Sequence, residues 1–223
     1  MRPTVALLRK ELTLEWRTRE AVPAMALFSV TTFVVFHFGL QRDTIEGTLA
    51  AGVLWVTLLL AAMLGANRLF VSDAEGGALE GILLAPIDRT SLYLAKTIAF
   101  AAYLAIVELV AVPAFYLLLL GPAAGDAILP LLGVLLLADI GIALTGTLVS
   151  GIATQTRSRD LLVSMICLPL LLPVIIAAAR ATSPLFAAAG AGSLPGKWLA
   201  VLGLYDVIIG LIAVAVFDFL LED

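Results

Sequence analysis

Six long runs of apolar residues, with few charges inside them, constrain this chain more than any other feature of its sequence. Each run is close to or above the roughly 20 residues that a helix needs to cross a hydrocarbon core of about 30 Å. Because lipid offers no hydrogen-bond partners, a spanning backbone must pair its own polar groups, as a helix does. We therefore predict six membrane-spanning helices, over residues 21–40, 47–66, 97–120, 127–153, 160–180 and 198–221.

The composition favours the same interpretation, because 62% of the 223 residues are hydrophobic and only 13% are charged. Soluble domains carry about 45–50% apolar and about 25% charged residues. Six spans with short connections use nearly the whole length, so we expect a single membrane domain over residues 1–223 and no soluble catalytic domain. The first run is expected to be a retained span and not a cleaved signal.

Counting excludes several kinds of site. The single cysteine, Cys167, excludes an intramolecular disulfide and a multi-thiolate metal site, and the net charge of −4 gives no general attraction to nucleic acid. His37 is the only histidine, and a solvated interfacial imidazole is favoured over a haem ligand there. A phosphate-binding loop fails at Lys197, because Trp198 stands where Ser or Thr is needed. We expect no catalytic residue, no metal and no cofactor on this chain, and any ATP would be bound by another chain.

The basic residues are divided unequally between the two sides of this topology. The side that holds both termini carries ten of the 13 Lys and Arg residues, and the other side carries three, Arg42, Arg180 and Lys197. The positive-inside rule therefore predicts that both termini are cytoplasmic.

The segment before the first span, residues 4–19, has a helical apolar stripe. Val5, Leu8, Leu12 and Trp16 recur at helical spacing, with basic residues elsewhere on the wheel. This pattern predicts an amphipathic helix on the membrane surface, and the alternative is an extension of the first span.

The connection over residues 67–96 is the longest segment on the predicted cytoplasmic side. Ser72 and Glu75 have the S-x-x-E spacing of a capping box, so a short helix is predicted to begin near Asp73. Pro86 cannot continue this helix and ends it, and a following helix is expected to run through Lys96 into the third span.

Three carboxylates, Glu108, Asp139 and Asp206, fall inside apolar runs. Ionisable groups at membrane depth are costly and usually face protein or a water-filled cavity. One interpretation is a hydrogen-bonded acid that joins helices, and the other is a transport or proton-relay role.

Three prolines also lie within predicted spans, namely Pro113, Pro169 and Pro173. Each removes a backbone hydrogen bond and kinks its helix. Two interpretations of the kinks are equally favoured: they are hinges for transport, or they only give the helices a shape that packs well.

Four stretches resemble the haem exporter B family, the membrane subunit of the cytochrome c maturation ABC transporter. They are Arg9-Lys10-Glu11-Leu12, Gly52-Val53-Leu54-Trp55-Val56, the set Phe70, Asp73, Glu75, Gly77, Leu79-Glu80, Leu83-Leu84, Pro86 and Leu94-Ala95-Lys96, and Leu168 to Val174. Their joint order and spacing extend over almost the whole chain.

The resemblance implies an all-α, six-helix ABC-2-like permease in the cytoplasmic (inner) membrane of a bacterial-type cell. It implies four partners: a dimeric cytoplasmic ABC ATPase that binds the ATP, a haem-handling membrane subunit, a small single-span subunit and a haem chaperone. ATP hydrolysis would then serve haem export, with haem as the possible cargo, or the release of haem-loaded chaperone.

Residues 67–96 would act as the coupling segment, and the capped helix around residues 73–85 would dock into a groove of the ATPase. The residues assigned to coupling are Asp73, Glu75, Gly77, Leu79, Glu80, Pro86 and Lys96. Three alternatives stay open: a generic ABC-2 exporter of lipid or drug, a proton-coupled secondary transporter that uses the intramembrane acids, and a structural scaffold.

Overall fold

The computed structural model describes residues 2–42, 44–71, 89–120, 127–154, 156, 159–187 and 192–220, and every regular element in these ranges is helical. The first three helices are α1 (Arg2–Thr18), α2 (Ala21–Gly39) and α3 (Gly47–Arg68). Helix α4 (Arg89–Phe115) continues into a π-helical turn, Tyr116–Leu120, and α5 covers Ile128–Ala153. Helix α6 (Arg159–Thr182) ends in a 3-10 turn, Ser183–Phe186, and α7 covers Gly196–Leu220.

Six of the described helices, α2 to α7, are long and apolar enough to cross a membrane, which confirms the predicted fold class. Their bounds lie close to the predicted ones except in the third span. There α4 begins at Arg89 and runs through Lys96 into the span, as the helix after Pro86 was expected to do, although the predicted apolar run starts at residue 97. Lys96 fits inside this helix because its side chain is buried against an acidic partner, described below.

The helices pack around a continuous hydrophobic cluster that contains residues from α2 to α7. Helix α5 lies against α4, α6 and α7, and α3 lies against α2 and α6. Small residues allow these close approaches. A Cβ added to Gly65 or Gly146 would lie 2.8 or 2.7 Å from the ring of Phe100. Small residues at helix crossings are a general means of packing helices in lipid.

The three prolines lie inside helices, Pro113 in α4 and the other two in α6. The π-helical turn follows Pro113 by three residues and offers two of its carbonyl oxygens to neighbours. His37 Nδ1 donates to Leu118 O at 2.6 Å, and the amide of Ile45 donates to Leu119 O at 2.8 Å. The His37 ring therefore has a structural role in joining α2 to the end of α4.

Part of the predicted coupling segment lies outside the described residues. Its assigned members Asp73, Glu75, Gly77, Leu79, Glu80 and Pro86 all belong to the 72–88 segment, as does the predicted short helix. The described residues on either side of it, Val71 and Arg89, lie at the end of the bundle where α1 is found, which we name the α1 end.

Candidate functional site

Lys96 is the centre of a polar cluster at the α1 end, which we name the Lys96 cluster. Its side chain is fully buried, and Nζ lies 2.8 Å from Glu11 Oε2 and 2.7 Å from the carbonyl oxygen of Leu69. The ammonium also lies 4.9 Å from the ring centroid of Phe70, within the range of a cation–π interaction. A buried ammonium therefore has an anionic partner, a backbone acceptor and an aromatic face.

Glu11 is buried as well, with only 6% of its surface exposed. Its Oε1 lies 3.4 Å from Lys10 Nζ, and its backbone carbonyl accepts a hydrogen bond of 3.2 Å from Tyr103 Oη. Helix α1 is thus attached to α4 at two levels, through Lys96 and through Tyr103, which lie about two turns apart on α4.

Glu15, one turn after Glu11 on α1, attaches the same helix to α2. Its two carboxylate oxygens accept from the backbone amides of Ala21 at 3.3 Å and Val22 at 2.8 Å, at the first residues of α2. These amides have no partner within their own helix, and a negative charge beside a helix N-terminus is favourable. Glu15 therefore caps α2 although it precedes that helix by several residues.

A small cavity of about 130 Å³ lies between α1, the start of α2 and the end of α3. Its lining includes Glu11, Glu15 and Glu20 together with Arg68 and Tyr103. Glu20 and Arg68 form an ion pair of 3.3 Å in which both side chains are more than half exposed. Such an exposed pair contributes little to stability.

The intramembrane acids separate into one pair and one single residue. The side chains of Glu108 on α4 and Asp139 on α5 form a hydrogen bond with each other. Because an ionised carboxylate only accepts hydrogen bonds, a bond between these two groups requires a proton on one of them. This contact joins two packed helices, as the structural interpretation of these acids expects.

Asp206 on α7 is not part of that pair and faces another surface of α5. A Cβ added to Gly141 would lie 2.6 Å from Asp206 Oδ1, and this buried oxygen has no hydrogen-bond partner within the described ranges. The neighbouring Tyr205 hydroxyl donates to Leu170 O at 2.9 Å and lies 2.8 Å from Thr145 Oγ1. Leu170 precedes Pro173 by three residues, so Tyr205 supplies a donor to the helical turn that the proline interrupts.

Glu108 also borders an apolar groove of about 660 Å³ on the outer surface of the bundle. The groove lies between α4 and α5, and Pro113, Tyr116 and Leu132 contribute to its lining. The Tyr116 hydroxyl is buried and has no hydrogen-bond partner among the residues that the structure describes. Cys167 is buried in α6.

Glu11, Glu15 and Tyr205 were not selected from the sequence as site residues. A signal for Glu11 was present, because Leu7, Glu11 and Leu14 share a second face of α1 beside the predicted stripe. Lys96 was selected, and the structure places it in the interior and not on an accessible contact surface.

Comparison with known proteins gives a consistent result over the whole chain. The family model described as CcmB protein matches residues 2–220. Heme exporter protein B of Paracoccus denitrificans is 31% identical over 159 residues, which are 71% of this chain and 72% of the relative. The Pseudomonas aeruginosa protein of the same name is 30% identical over 76% of each chain, and that of Bradyrhizobium diazoefficiens is 28% identical over 94% of each. The chain therefore belongs to the CcmB, or haem exporter protein B, family of multi-pass membrane proteins.

Proposed function

We propose that this chain is the membrane permease subunit of an ATP-driven ABC complex for cytochrome c maturation. The observation that carries the proposal is membership of the CcmB family, whose compared relatives are named heme exporter protein B. The chain is then a non-catalytic membrane component of a haem exporter. ATP hydrolysis by a dimeric cytoplasmic partner drives haem export or the release of haem-loaded chaperone, together with a haem-handling subunit and a small single-span subunit.

The excess of basic residues supports the proposed orientation. Arg68 and Arg89 flank the 72–88 segment. Arg17 lies in the last turn of α1, and Arg19 follows that helix. The positive-inside rule then puts the α1 end in the cytoplasm, where an ATPase subunit is accessible.

The Lys96 cluster supports a coupling role for the 72–88 segment. The segment follows the end of α3, where the Leu69 carbonyl accepts from the Lys96 ammonium, and precedes α4, in which Lys96 lies about two turns after Arg89. If the ATPase displaces the segment, the displacement therefore reaches α3 and α4 close to the buried, charged contact of Lys96. Asp73, Glu75, Gly77, Leu79, Glu80 and Pro86 are proposed to dock on the ATPase, and Lys96 is proposed to transmit the docking into α4.

The first test is a pull-down of the tagged chain from its own host in mild detergent, with mass spectrometry and an ATPase assay of the eluate. We expect an ABC ATPase and haem-maturation subunits, and a deletion strain that lacks c-type cytochromes. Recovery of the chain without ATPase activity, with c-type cytochromes intact in the deletion strain, would refute the proposal. An ATPase partner with unaffected cytochromes would instead favour a generic ABC-2 exporter of lipid or drug.

A pair of substitutions tests the docking residues. Glu75→Ala with Glu80→Ala should reduce both ATPase recovery and cytochrome c maturation, because it removes two charges from the proposed contact. Glu46→Ala is the matched control, since Glu46 is exposed at the opposite end of the bundle. Equal recovery of the ATPase with both variants would contradict the docking role.

One observation favours a second candidate, a proton-coupled secondary transporter. Glu108 borders an open groove, and the buried Asp139 lies beside it, so a proton that reached the groove could be passed between two adjacent carboxyl groups. Haem or substrate movement in ATP-depleted vesicles with an imposed pH gradient would support this candidate. Loss of all movement on ATP depletion would exclude it.

A further inference from the structure

Helix α1 has two apolar faces with different surroundings. On one face Leu7 packs against Leu92 and Ala95 at the start of α4. On the other face Val5 and Trp16 are 62% and 77% exposed, at positions suited to a lipid interface. The helix is therefore docked on the bundle by one face while the other is available to the membrane.

Two carboxylates on the docked side of α1 reach different elements. Glu11 binds the Lys96 ammonium on α4, and Glu15 accepts from two amides at the start of α2. They are four residues apart, so they lie on neighbouring turns of one helix face. A displacement of α4 near Lys96 can thus reach α2 through one short, rigid helix.

The Lys96 ammonium also holds the end of α3 through Leu69 O, two residues before the last described residue ahead of the 72–88 segment. Lys96 itself lies two turns into the helix that follows the segment. One charged group on α4 therefore contacts the end of α3, just before the 72–88 segment, and the middle of α1.

We propose that Glu11 and Lys96 are positioning residues for ATP coupling, and that their ion pair makes α1 a strut which carries displacement of the 72–88 segment to α2. This inference rests on the proposed function, because it needs an ATPase that moves the segment. It assigns α1 a part in transmission in addition to its contact with lipid.

The chemistry of the contact supports a role in transmission more than one in stability. Two well-packed apolar side chains commonly hold helices together as well as a buried ion pair does. An ammonium has three directed donors, and two of them are fixed on acceptors from different helices. Sliding of one element past another would break these directed bonds, whereas apolar contacts tolerate sliding.

The test compares Glu11→Gln and Lys96→Met with the charge exchange Glu11→Lys plus Lys96→Glu in the complete complex. Glu20→Gln is the matched control, because it makes the same chemical change at an exposed acid of the same end. The readouts are the amount of assembled complex, the ATP hydrolysed per complex and the c-type cytochrome formed per ATP. The c-type cytochrome formed per ATP should fall about twofold to thirtyfold in the single variants. It should remain normal in the Glu20→Gln control and recover partly in the charge exchange.

A second measurement tests whether α1 moves together with α4 in protein that keeps Glu11 and Lys96. It can therefore be made even if the single variants do not accumulate. Spin labels on the exposed residues Thr13 and Leu94 report the distance between α1 and α4, and labels on Thr13 and Thr156 report the distance from α1 to the α5–α6 connection. All labelled proteins carry Cys167→Ser. Trapping with ATP and vanadate should change the Thr13–Thr156 distance by about 2 Å or more and leave the Thr13–Leu94 distance constant.

The outcomes separate this inference from the proposed function. A wild-type complex without an ATPase overturns the proposed function and this inference with it. A functioning wild-type complex in which α1 moves away from Leu94, with the ion pair intact, overturns the inference alone. Equal losses of complex and of cytochrome, with an unchanged yield per ATP, would show that the ion pair only stabilises the fold.

Discussion

Replacing Gly141 by alanine tests how tightly α5 packs against its neighbours. Alanine also favours the helix more than glycine does, so the same replacement at Gly133, elsewhere in α5, measures that preference alone. The new Cβ would lie 2.6 Å from Asp206 Oδ1 and 3.3 Å from atoms of both Tyr205 and Val174. The first distance is 0.8 Å short of the 3.4 Å at which ordinary contact begins. Helices α5, α6 and α7 all meet there, and the contacting Asp206 oxygen is buried.

The expected magnitude follows from two opposing terms. Overpacking of a filled interior costs about 1–3 kcal/mol, and the change from Gly to Ala within a helix returns about 1 kcal/mol. Gly141→Ala should therefore be destabilising by up to about 2 kcal/mol. Gly133 in the same helix has no atom within 4 Å of the added Cβ, so Gly133→Ala should be neutral or stabilising by up to about 1 kcal/mol.

The assay is reversible unfolding in one detergent, followed by far-UV circular dichroism, for both variants and for each combined with Asp206→Ala. Removal of the Asp206 carboxylate should relieve the contact and reduce the cost of Gly141→Ala, with a coupling energy of about 1–2 kcal/mol. The effect of Gly133→Ala on the free energy of unfolding should be the same with and without Asp206→Ala. If Gly141→Ala is as stable as Gly133→Ala, or if its defect is unchanged without Asp206, the packing argument is wrong.

Three further predictions concern individual polar groups. Tyr205→Phe should cost about 0.6–1.5 kcal/mol because it removes hydrogen bonds to α5 and α6, whereas Tyr116→Phe should be neutral, and equal unfolding midpoints would contradict this. Glu108→Gln should change unfolding stability by no more than about 1 kcal/mol and maintain c-type cytochromes, because an amide can still form a hydrogen bond with Asp139 on α5. Complete loss of c-type cytochromes would instead show that a carboxyl proton at this position is needed. Thr182→Val should cost about 1–3 kcal/mol in unfolding, because it leaves the buried indole N–H of Trp55 without its acceptor at 2.9 Å, while Thr182→Ser should be nearly neutral, and a neutral Val variant would contradict the bond.

The spans could be predicted closely because length and apolarity are properties of continuous sequence. The run at 127–153 corresponds to α5 at Ile128–Ala153, and the run at 21–40 to α2 at Ala21–Gly39. The helix that runs through Lys96 into the third span was also expected, but the span itself was started at residue 97, because a lysine in an apolar helix indicates a boundary until its partner is known. That partner, Glu11, precedes Lys96 by 85 residues.

Pairings between distant residues explain most of what the sequence did not predict. Glu108 and Asp139 were each expected to be buried and polar, but their mutual hydrogen bond depends on the crossing of α4 and α5. The stripe with Val5 and Trp16 was predicted, while the docked face of α1 was hidden by its mixture of leucine and glutamate. The assignments within the 72–88 segment stay predictions.

The π-helical turn at Tyr116–Leu120 has a consequence for comparing this chain with its relatives. A π turn holds one residue more than the α-helical turn that it replaces, and each residue of an α-helix rotates the following ones by about 100°. Loss of one residue there would restore ordinary winding and leave the faces that carry Lys96 and Glu108 in place. Family members that are one residue shorter at this point should therefore align without any change in the register of α4.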